Sequence, residues 1–461
     1  MKHAYFILLA ASLWGTPSLA QEAWDLRKCI DYAIEHNLSI KQQEATMEQR
    51  EVDLNTAKWR RLPNLSANVG QSFNFGRGLQ ADNTYADTNT KSTNFSVGTS
   101  IPLFTGLEIP NTIALSKLNL QAAMEDLNKA KEDISMQVTS YYLQVLFNEE
   151  LAKVAHDQVK LSQEQLDRKV AFFKNGKASE AELYEAKSRV AQDELSATQA
   201  DNNVRLALLD LSQLLELSSP EGFHIVSPEI GDVLASISLP EEIYQEAIMI
   251  KPSIKAAQYR LEGAERNIRI AQSALMPQLS FSAGMGTNYY NLSGIENPSF
   301  SSQWHRNLSK YLSFNLSIPI FNRFQTRNQI RKARIDRSAI SLQLEESKKT
   351  LFKEIQQAYY NAIAAESKFN SSKVAMDAAE ASFNLIKEKY ANGMATATEY
   401  NESRTNWMRT VSDQVQAKYD YLFRSKILDF YRGRPIESEK QFEYKKRDQN
   451  VICSGLSFVY C

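Results

Sequence analysis

Residues 62–75 read LPNLSANVGQSFNF, and residues 276–289 repeat the pattern as MPQLSFSAGMGTNY. In the first stretch, small polar residues alternate with Leu65, Ala67, Val69, Phe73 and Phe75. This alternation is typical of a β-strand with one apolar and one polar face. Pro63 and Pro277 are 214 positions apart, so the same stretch also indicates a duplicated chain.

Further matches support the duplication. SIPLF at 100–104 returns as SIPIF at 317–321, and three shorter pairs keep the same order: Ser39-Ile40-Lys41 with Ser253-Ile254-Lys255, Tyr141-Tyr142 with Tyr359-Tyr360, and Asn175-Gly176 with Asn392-Gly393. Chance could produce any one of these matches. Their common order indicates two repeats, at residues 21–217 and 241–432, joined by a linker at 218–240 that contains Pro and Gly.

Each repeat predicts a helix, a strand pair and a long helical hairpin, so the fold class is α+β. The strand pairs are expected at 65–104 and 279–321. After the first pair, apolar residues recur at heptad spacing and predict a helix on the order of 90 Å long. Tyr141 and Phe173 belong to this apolar stripe. Asn148, Ser162 and Lys169 interrupt it, so part of the stripe is expected to line water.

The first 20 residues predict a secretory signal peptide, because a positive start and an apolar run precede Ser18-Leu19-Ala20. No other apolar stretch is long enough for a spanning helix, so membrane residence would depend on β-strands. The cysteines, Cys29, Cys453 and Cys461, are odd in number, and no functional disulfide is expected. Residues 433–461 have no counterpart in the first repeat and are expected to form a flexible C-terminal tail.

The predicted strands have a small, uncharged polar face and an apolar face. One interpretation is a soluble sheet packed on helices. The other is a lipid-facing barrel wall with a polar lumen and an aromatic girdle formed by Tyr289, Tyr290, Phe300, Trp304 and Tyr311. Four strands cannot close a barrel, so the second interpretation requires an oligomer, and the strand count leaves dimer and trimer open.

Charge and motifs exclude other classes of function. A net charge of −1 provides no basic surface for nucleic acid. The five histidines show no metal-ligand spacing, and neither a phosphate-binding glycine loop nor a nucleophile elbow is present. The sequence therefore predicts a protein that is not an enzyme and has no cofactor or metal.

The repeat, the Leu62-Pro63 and Met276-Pro277 strand entries, the two SIPLF-like exits and the Asn-Gly turns together resemble the TolC family of outer-membrane exit ducts. This resemblance implies a homotrimer with a 12-stranded barrel in outer-membrane lipid and an α-helical barrel in the periplasm. It also implies a periplasmic adaptor and an inner-membrane pump of the RND or ABC class, in a tripartite efflux pump or a type I secretion system that the duct serves passively. The cargo is not indicated.

The resemblance implies that the hairpin tips contact the adaptor. The residues concerned are Asn175, Gly176, Lys177 and Ala178 in the first repeat and Asn392, Gly393, Met394 and Ala395 in the second. The family often has an aliphatic residue after the glycine, and Lys177 departs from that pattern.

The resemblance also implies a periplasmic gate. Glu399 and Glu402 occupy the positions of the family's acidic rings, Glu182 and Glu185 are their counterparts in the first repeat, and Tyr390 is expected to bond Glu182 in the closed state. Ala395 replaces an arginine that some relatives use. Without the resemblance, two glutamates three residues apart would form an ordinary solvated helix face. The alternative function is a secreted coiled-coil scaffold or adhesin without a channel.

Overall fold

The computed structural model describes residues 24–79, 83–87, 89–226 and 237–434. The helices of this part are α1 Leu26–His36, α2 Leu38–Trp59, α3 Glu108–Lys174, α4 Glu180–Leu214, α5 Pro240–Ile250, α6 Pro252–Ser273, α7 Phe300–Arg306, α8 Gln325–Ala391 and α9 Ala397–Tyr431. Its strands are β1 Asn64–Asn74, β2 Arg77–Leu79, β3 Tyr85–Asp87, β4 Thr90–Phe104, β5 Gln278–Leu292 and β6 Ser309–Ser317. The predicted signal peptide, much of the predicted linker, Cys453 and Cys461 lie outside the described residues.

The chain divides into two compact units. Of the described residues, one contains those within 24–41, 130–248 and 351–434, and the other contains those within 42–129 and 249–350. Each unit therefore draws on both repeats. The compact units cut across the repeats because matching parts of the two copies fold together.

The second unit contains an antiparallel sheet in the order β1-β4-β5-β6. Two of its strands come from each repeat, and β4 and β5 pair across the repeat boundary from Thr90 opposite Leu292 to Phe104 opposite Leu279. The predicted fold class, α+β with four long strands and an internal repeat, is confirmed. A separate short hairpin of β2 and β3 was not predicted.

Register fixes the two faces of this sheet. Val97 lies opposite Ala67 on one side and Met285 on the other, whereas Ser96 lies opposite Asn68 and Gly286. Paired residues point to the same face, so the first set forms an apolar face and the second a small polar face. Much of the apolar face is exposed in the part of the chain that the structure describes, where Leu65 is 79% and Leu312 is 77% exposed.

The predicted aromatic girdle is divided by this register. Tyr289 lies in the apolar row of β5, whereas Tyr290, one residue on, and Tyr311, opposite Gly284, belong to the polar row. The Tyr311 ring lies over Gly284, so close that a Cβ added to Gly284 would be 2.8 Å from the ring. Phe300 and Trp304 lie in α7, outside the strands. The girdle prediction was wrong for Tyr290 and Tyr311, because neighbouring residues of a strand face opposite sides.

The last strand of the second pair ends earlier than predicted. β6 ends at Ser317, and residues 318–321 follow without strand pairing. Pro319 has no backbone N–H to donate to a neighbouring strand, which accounts for an early end here. In the first repeat β4 continues through Pro102 to Phe104, with a register irregularity between those two residues.

The helix predicted before each strand pair is two helices in the structure. Asn37 interrupts the first with an extended ψ of 130°, and its Oδ1 accepts from Ser39 N at 2.9 Å. Lys251 interrupts the second with ψ of 125°, because a residue before proline is disfavoured in the helical region and Pro252 follows. Both breaks have local sequence signals, an Asn cap and a Pro at the first helical position.

Burial along α3 follows the predicted apolar stripe only in part. Val138 and Val145 are fully buried, but Tyr141 and Phe173 are 40% and 42% exposed. Ser162, expected to line water, is buried, and its hydroxyl bonds carbonyls of its own helix. None of the helices in the described ranges combines the length and apolarity required to cross a membrane.

Cys29 is a free thiol buried in α1. Desolvation, reinforced by the nearby Asp25 carboxylate, raises the pKa of Cys29 to about 12. At neutral pH the thiol is therefore protonated and a poor nucleophile.

The turn between β4 and α3 leads to a prediction for Gly106. Its φ is +62°, and a Cβ at this position would lie 2.5 Å from the Ser273 carbonyl oxygen and 2.8 Å from Met276 Cβ. We expect Gly106→Ala to lower the free energy of unfolding by about 3 kcal/mol, because the strain of a positive φ adds to the clash of the new Cβ with the Ser273 backbone. Thermal denaturation in detergent measures this loss.

Gly176→Ala is the matched control for Gly106→Ala. Gly176 has a φ of +71°, but a Cβ there would meet no atom within 4 Å, so only the left-handed conformation is penalised, by about 1 kcal/mol. Equal losses for the two variants would contradict the close approach at Gly106.

Candidate functional site at the helical hairpin tips

The two hairpin tips, at residues 175–179 and 392–396, end their helices with the same hydrogen bonds. Gly176 N donates to Phe173 O at 2.9 Å, and Lys177 N donates to Phe172 O at 2.8 Å. In the second tip the donors are Gly393 N, to Tyr390 O at 3.1 Å, and Met394 N, to Lys389 O at 2.8 Å. Both glycines have positive φ. This is the Schellman arrangement, in which a left-handed glycine satisfies the last carbonyls of a helix.

The residues predicted to contact an adaptor form a rigid, open surface. The side chains of Asn175 and Asn392 donate to carbonyls four residues earlier, at 2.8 and 3.0 Å. Lys177 is exposed and Met394 is 71% exposed. Ala178 and Ala395, which come next in each tip, are half-buried. Local bonding therefore fixes the tips and leaves Lys177 and Met394 to project into solvent.

Glu399 caps the helix in which it lies. Thr396, the N-cap of α9, accepts from Glu399 N at 3.2 Å, and the Glu399 carboxylate accepts from Thr396 N at 2.7 Å. These reciprocal bonds form a capping box. The backbone hydrogen bond from Thr396, with help from its hydroxyl, lowers the pKa of Glu399. Glu399 is therefore ionised at neutral pH and held toward the tip.

Glu182, the counterpart of Glu399, has a different partner. Its carboxylate accepts a hydrogen bond from Lys169 on the facing helix α3, and this bond lowers the pKa of Glu182. The position equivalent to Lys169 in the second repeat is Ile386, which can offer no charge. The duplicated tips differ because one repeat has a lysine facing the glutamate and the other does not.

Lys169 also links the two hairpins. Its Nζ lies 5.8 Å from the centre of the Tyr390 ring on α8, a cation–π geometry. Burial alone would lower the pKa of Lys169, but the bonds to Glu182 and Tyr390 outweigh burial and raise that pKa. Lys169, which the sequence places in the α3 stripe, thus contacts both Glu182 and Tyr390. The direct Tyr390–Glu182 bond that the resemblance implies for the closed state stays a prediction.

A buried ion pair joins the hairpins further from the tips. Arg404 of α9 is 1% exposed, and its Nη2 lies 2.8 Å from Asp193 Oδ2 on α4 and 3.0 Å from the Gln158 carbonyl on α3. Gln158 Nε2 donates to Asp193 Oδ1 at 3.0 Å. The Arg404 Nε is buried without a hydrogen-bond partner among the described residues. Three helices are therefore held by one charged network that is not fully satisfied.

Sequence reasoning missed this pair, although a signal was present. Asp193 lies between Val190 and Ala197, and Arg404 lies between Tyr400 and Trp407, all of which are at core spacing on their helices. A charge at a core position requires a partner of opposite sign. Nothing in the sequence identifies which of many charges that partner is.

Aromatic rings fill the space between the ion pair and the tips. Tyr400, 3% exposed, stacks on Tyr390 at 4.9 Å and contacts Phe383 at 5.6 Å, and Phe383 stacks on Trp407 at 5.0 Å. Gln165 of α3 donates to the Tyr400 hydroxyl at 3.3 Å. The first hairpin is therefore tied to this cluster by a hydrogen bond as well as by packing.

Glu185 and Glu402 line one open groove of about 640 Å³ between α4 and α9, together with Thr398, Asn401, Thr405, Asn406 and Arg409. Of the four predicted gate glutamates, Glu185 and Glu402 lie together in this groove. Glu182 and Glu399 instead accept hydrogen bonds at the hairpin tips. Within the described residues no group of His, Cys, Asp or Glu side chains is arranged to hold a metal ion.

The buried pair leads to a prediction for Arg404. Arg404→Gln removes the buried cation of Asp193 and leaves it only Arg189, whose Nε lies 3.5 Å from Asp193 Oδ1. Removing one member of a buried pair costs about 3–5 kcal/mol. We expect faster amide hydrogen exchange around residues 158 and 193, because the hairpins separate more often. Arg409→Gln is the matched control, since Arg409 lies on the same helix and bonds Asn406 at 3.1 Å.

A double variant separates charge from packing at this pair. Adding Asp193→Asn to Arg404→Gln removes the buried carboxylate that Arg404 no longer neutralises, so exchange should return partway toward the wild-type rate. Unchanged exchange in the single variant, or equal acceleration in Arg409→Gln, would show that the pair does not hold the hairpins together.

Comparison with known proteins gives one family and a consistent set of relatives. The family model described as outer membrane efflux protein matches residues 29–216 and 243–434, one segment in each repeat. The chain is 21% identical to the outer membrane protein TolC of Escherichia coli over 428 residues, covering 92% of this chain and 84% of TolC. It is 24% identical to the Escherichia coli cation efflux system protein CusC over 352 residues, covering 72% and 69% of the two chains.

Solved structures agree on the fold. The outer membrane protein VceC of Vibrio cholerae superposes with a TM-score of 0.73 at 16% identity, covering 89% of this chain and 97% of VceC. The CmeC outer membrane channel of Campylobacter jejuni gives a TM-score of 0.73 at 17% identity, covering 92% and 89%. At these identities the structures establish a shared fold.

Proposed function

Because the chain belongs to the outer membrane efflux protein family, whose model matches both of its repeats, we propose that it is the exit duct of an efflux system. Its location is the outer membrane, as the sequence predicts, and its long helices extend into the periplasm in this proposal. The match of both repeats is the observation that carries the proposal. It disfavours the alternative of a coiled-coil scaffold or adhesin.

The sheet supports assembly of three copies. β1 and β6 lie at its edges, and their outward backbone groups have no strand partner in the part of the chain that the structure describes. Lipid cannot satisfy such groups, so a sheet with an uncovered apolar face requires closure. Three copies supply twelve strands, with the apolar rows toward lipid and the Ser, Asn and Gly rows toward a polar lumen. The homotrimer rests on family membership together with these open edges.

We assign the gate to the hairpin tips. The Lys169 bridge, the Asp193–Arg404 pair and the Gln165–Tyr400 hydrogen bond hold the two hairpins of one chain together, and opening would require all three to break. Glu185 and Glu402 line the groove beside them. In a trimer these carboxylates, with ionised Glu399, would concentrate negative charge at a constriction and attract cations, while Lys169 offsets the charge of Glu182.

The outward surface of the tips suits a periplasmic adaptor. Gly176 and Gly393 leave open space, and Lys177 and Met394 project from turns whose backbone bonds are already satisfied. A partner can pack on such a surface with little loss of conformational entropy, because the turns are already ordered. The energy source in this proposal is an inner-membrane pump of the RND or ABC class. The duct conducts passively, and the pump selects the cargo in efflux or in type I secretion.

Planar-bilayer recording tests the duct and its gate. Protein extracted from outer membranes should migrate as a trimer in unboiled gels and conduct with cation selectivity. We expect Glu402→Gln to lower the cation selectivity and the block by divalent cations, because Glu402 lines the groove. Adding Glu399→Gln should lower both further. Glu164→Gln, at an exposed position of α3, is the control.

Two outcomes of this experiment would count against the proposal in different ways. A soluble monomer without conductance would remove the duct itself. A conducting trimer whose selectivity is unchanged in the double variant would remove these glutamates from the gate.

Photocrosslinking tests the docking surface. A photoreactive residue at Lys177 or at Met394 should form an adduct with a periplasmic adaptor protein identified by mass spectrometry, because these side chains project from the tips. The same residue at Lys153, exposed on α3 away from the tips, should not. Equal adaptor labelling at Lys153, or adducts only between copies of this chain, would refute docking at the tips.

A further inference from the structure

The end of the sheet remote from the long helices carries a structured loop. β5 continues to Leu292, but its pairing with β6 ends where Gly286 lies opposite Ser309. Residues 287–292 therefore have an edge that β6 does not cover. The connection from 293 to 308, which contains α7, lies along this edge.

Side-chain amides take the place of the missing strand. Asn307 Nδ2 donates to Asn288 O at 2.7 Å. Gln303 is 3% exposed and bonds both Tyr290 N and Tyr290 O at 2.9 Å. Asn297 does the same for Leu292, at 2.9 and 2.8 Å. The contacts recur at every second residue, which is the spacing of a strand ladder, so the loop is docked on β5.

The same bonds place α7 on the apolar face. Trp304 and Phe300 lie 5.1 and 6.4 Å from Phe95 on β4, and Phe300 lies 5.5 Å from Tyr289. The Thr287 hydroxyl donates to Trp304 O at 3.0 Å. Phe95 lies opposite Thr287 and in the apolar row of Val97 and Met285. The helix therefore covers the face assigned to lipid rather than the face assigned to the lumen.

The chemistry of α7 is that of a membrane interface. Phe300 is 50% and Trp304 is 37% exposed after packing on the sheet. The helix ends in His305 and Arg306, and Lys310 follows in the apolar row of β6. Between residues 288 and 317, Glu296 is the only acidic residue. Half-exposed aromatic rings beside cations, at the border of an apolar band, suit the headgroup layer and its phosphates.

We propose that α7 lies on the outer wall of the duct in the headgroup layer of the outer leaflet, with Arg306 and Lys310 binding lipid phosphate. The proposal rests on the proposed function, because the strand ends remote from the helices face outward only in an outer-membrane duct. The connection between β5 and β6 then anchors the rim to lipid.

Tryptophan fluorescence tests this placement. Trp24, Trp59 and Trp407 are changed to Phe, so that Trp304 is the only tryptophan after the predicted signal peptide. The variant is reconstituted into phosphatidylcholine–phosphatidylglycerol vesicles brominated either near the headgroups or near the chain ends. We expect stronger quenching of Trp304 by the shallow bromines than by the deep ones, and weak quenching by aqueous iodide.

Two reporter variants separate failure of this inference from failure of the duct. Both are made in a background in which Trp24, Trp59, Trp304 and Trp407 are all changed to Phe. Leu312→Trp then reports on the middle of the apolar face, and Asn315→Trp reports on the polar face. Lipid quenching at 312 without quenching at 304 would overturn the placement of α7 and leave the duct intact. Absence of lipid quenching at both 304 and 312 would count against the duct itself.

A lipid-binding measurement tests the phosphate contact. Diphosphorylated lipid A added to the detergent-solubilised protein should raise the temperature at which the trimer dissociates. We expect this shift to be lost in Arg306→Gln/Lys310→Gln and kept in Lys332→Gln, a control on α8. An equal shift in all variants would overturn the phosphate contact, and a shift retained with a dephosphorylated lipid would assign the effect to the acyl chains.

Discussion

The constraint on which the structure depends is the supply of backbone hydrogen-bond partners to a four-stranded sheet. β1 and β6 are its edge strands, and each presents one side without a strand partner among the described residues. The sheet also leaves much of an apolar face exposed, so water is a poor environment for that face and lipid is a poor environment for the edges. Pairing edge to edge with further copies satisfies both requirements at once.

The connection after β5 shows the same constraint at smaller scale. Where β5 outruns β6, Asn297, Gln303 and Asn307 supply the missing donors and acceptors from side chains. A free strand end at this place would expose polar backbone beside an apolar band. Satisfying it with amides from one loop fixes α7 against the sheet, which is why so short a helix has a defined position.

Duplication supplied two similar hairpins, and divergence at a few positions made them complementary. The tips keep the same glycine turn, yet Glu182 bonds across its hairpin to Lys169 while Glu399 caps its own helix. Asp193 and Arg404 come from different repeats and meet in the core of one unit. The substitutions create contacts that hold one hairpin to the other.

The sequence by itself determined the features whose cause is local: the period-two strands, the repeat, the Asn-Gly helix ends and the exposed tips. Tertiary structure decided which side chains meet. Asp193 and Arg404 pair although they are distant in the chain, Lys169 comes between Glu182 and Tyr390, and Tyr290 and Tyr311 lie on the polar face. Local patterns record the backbone conformation of a segment, whereas partners depend on how distant segments are packed together.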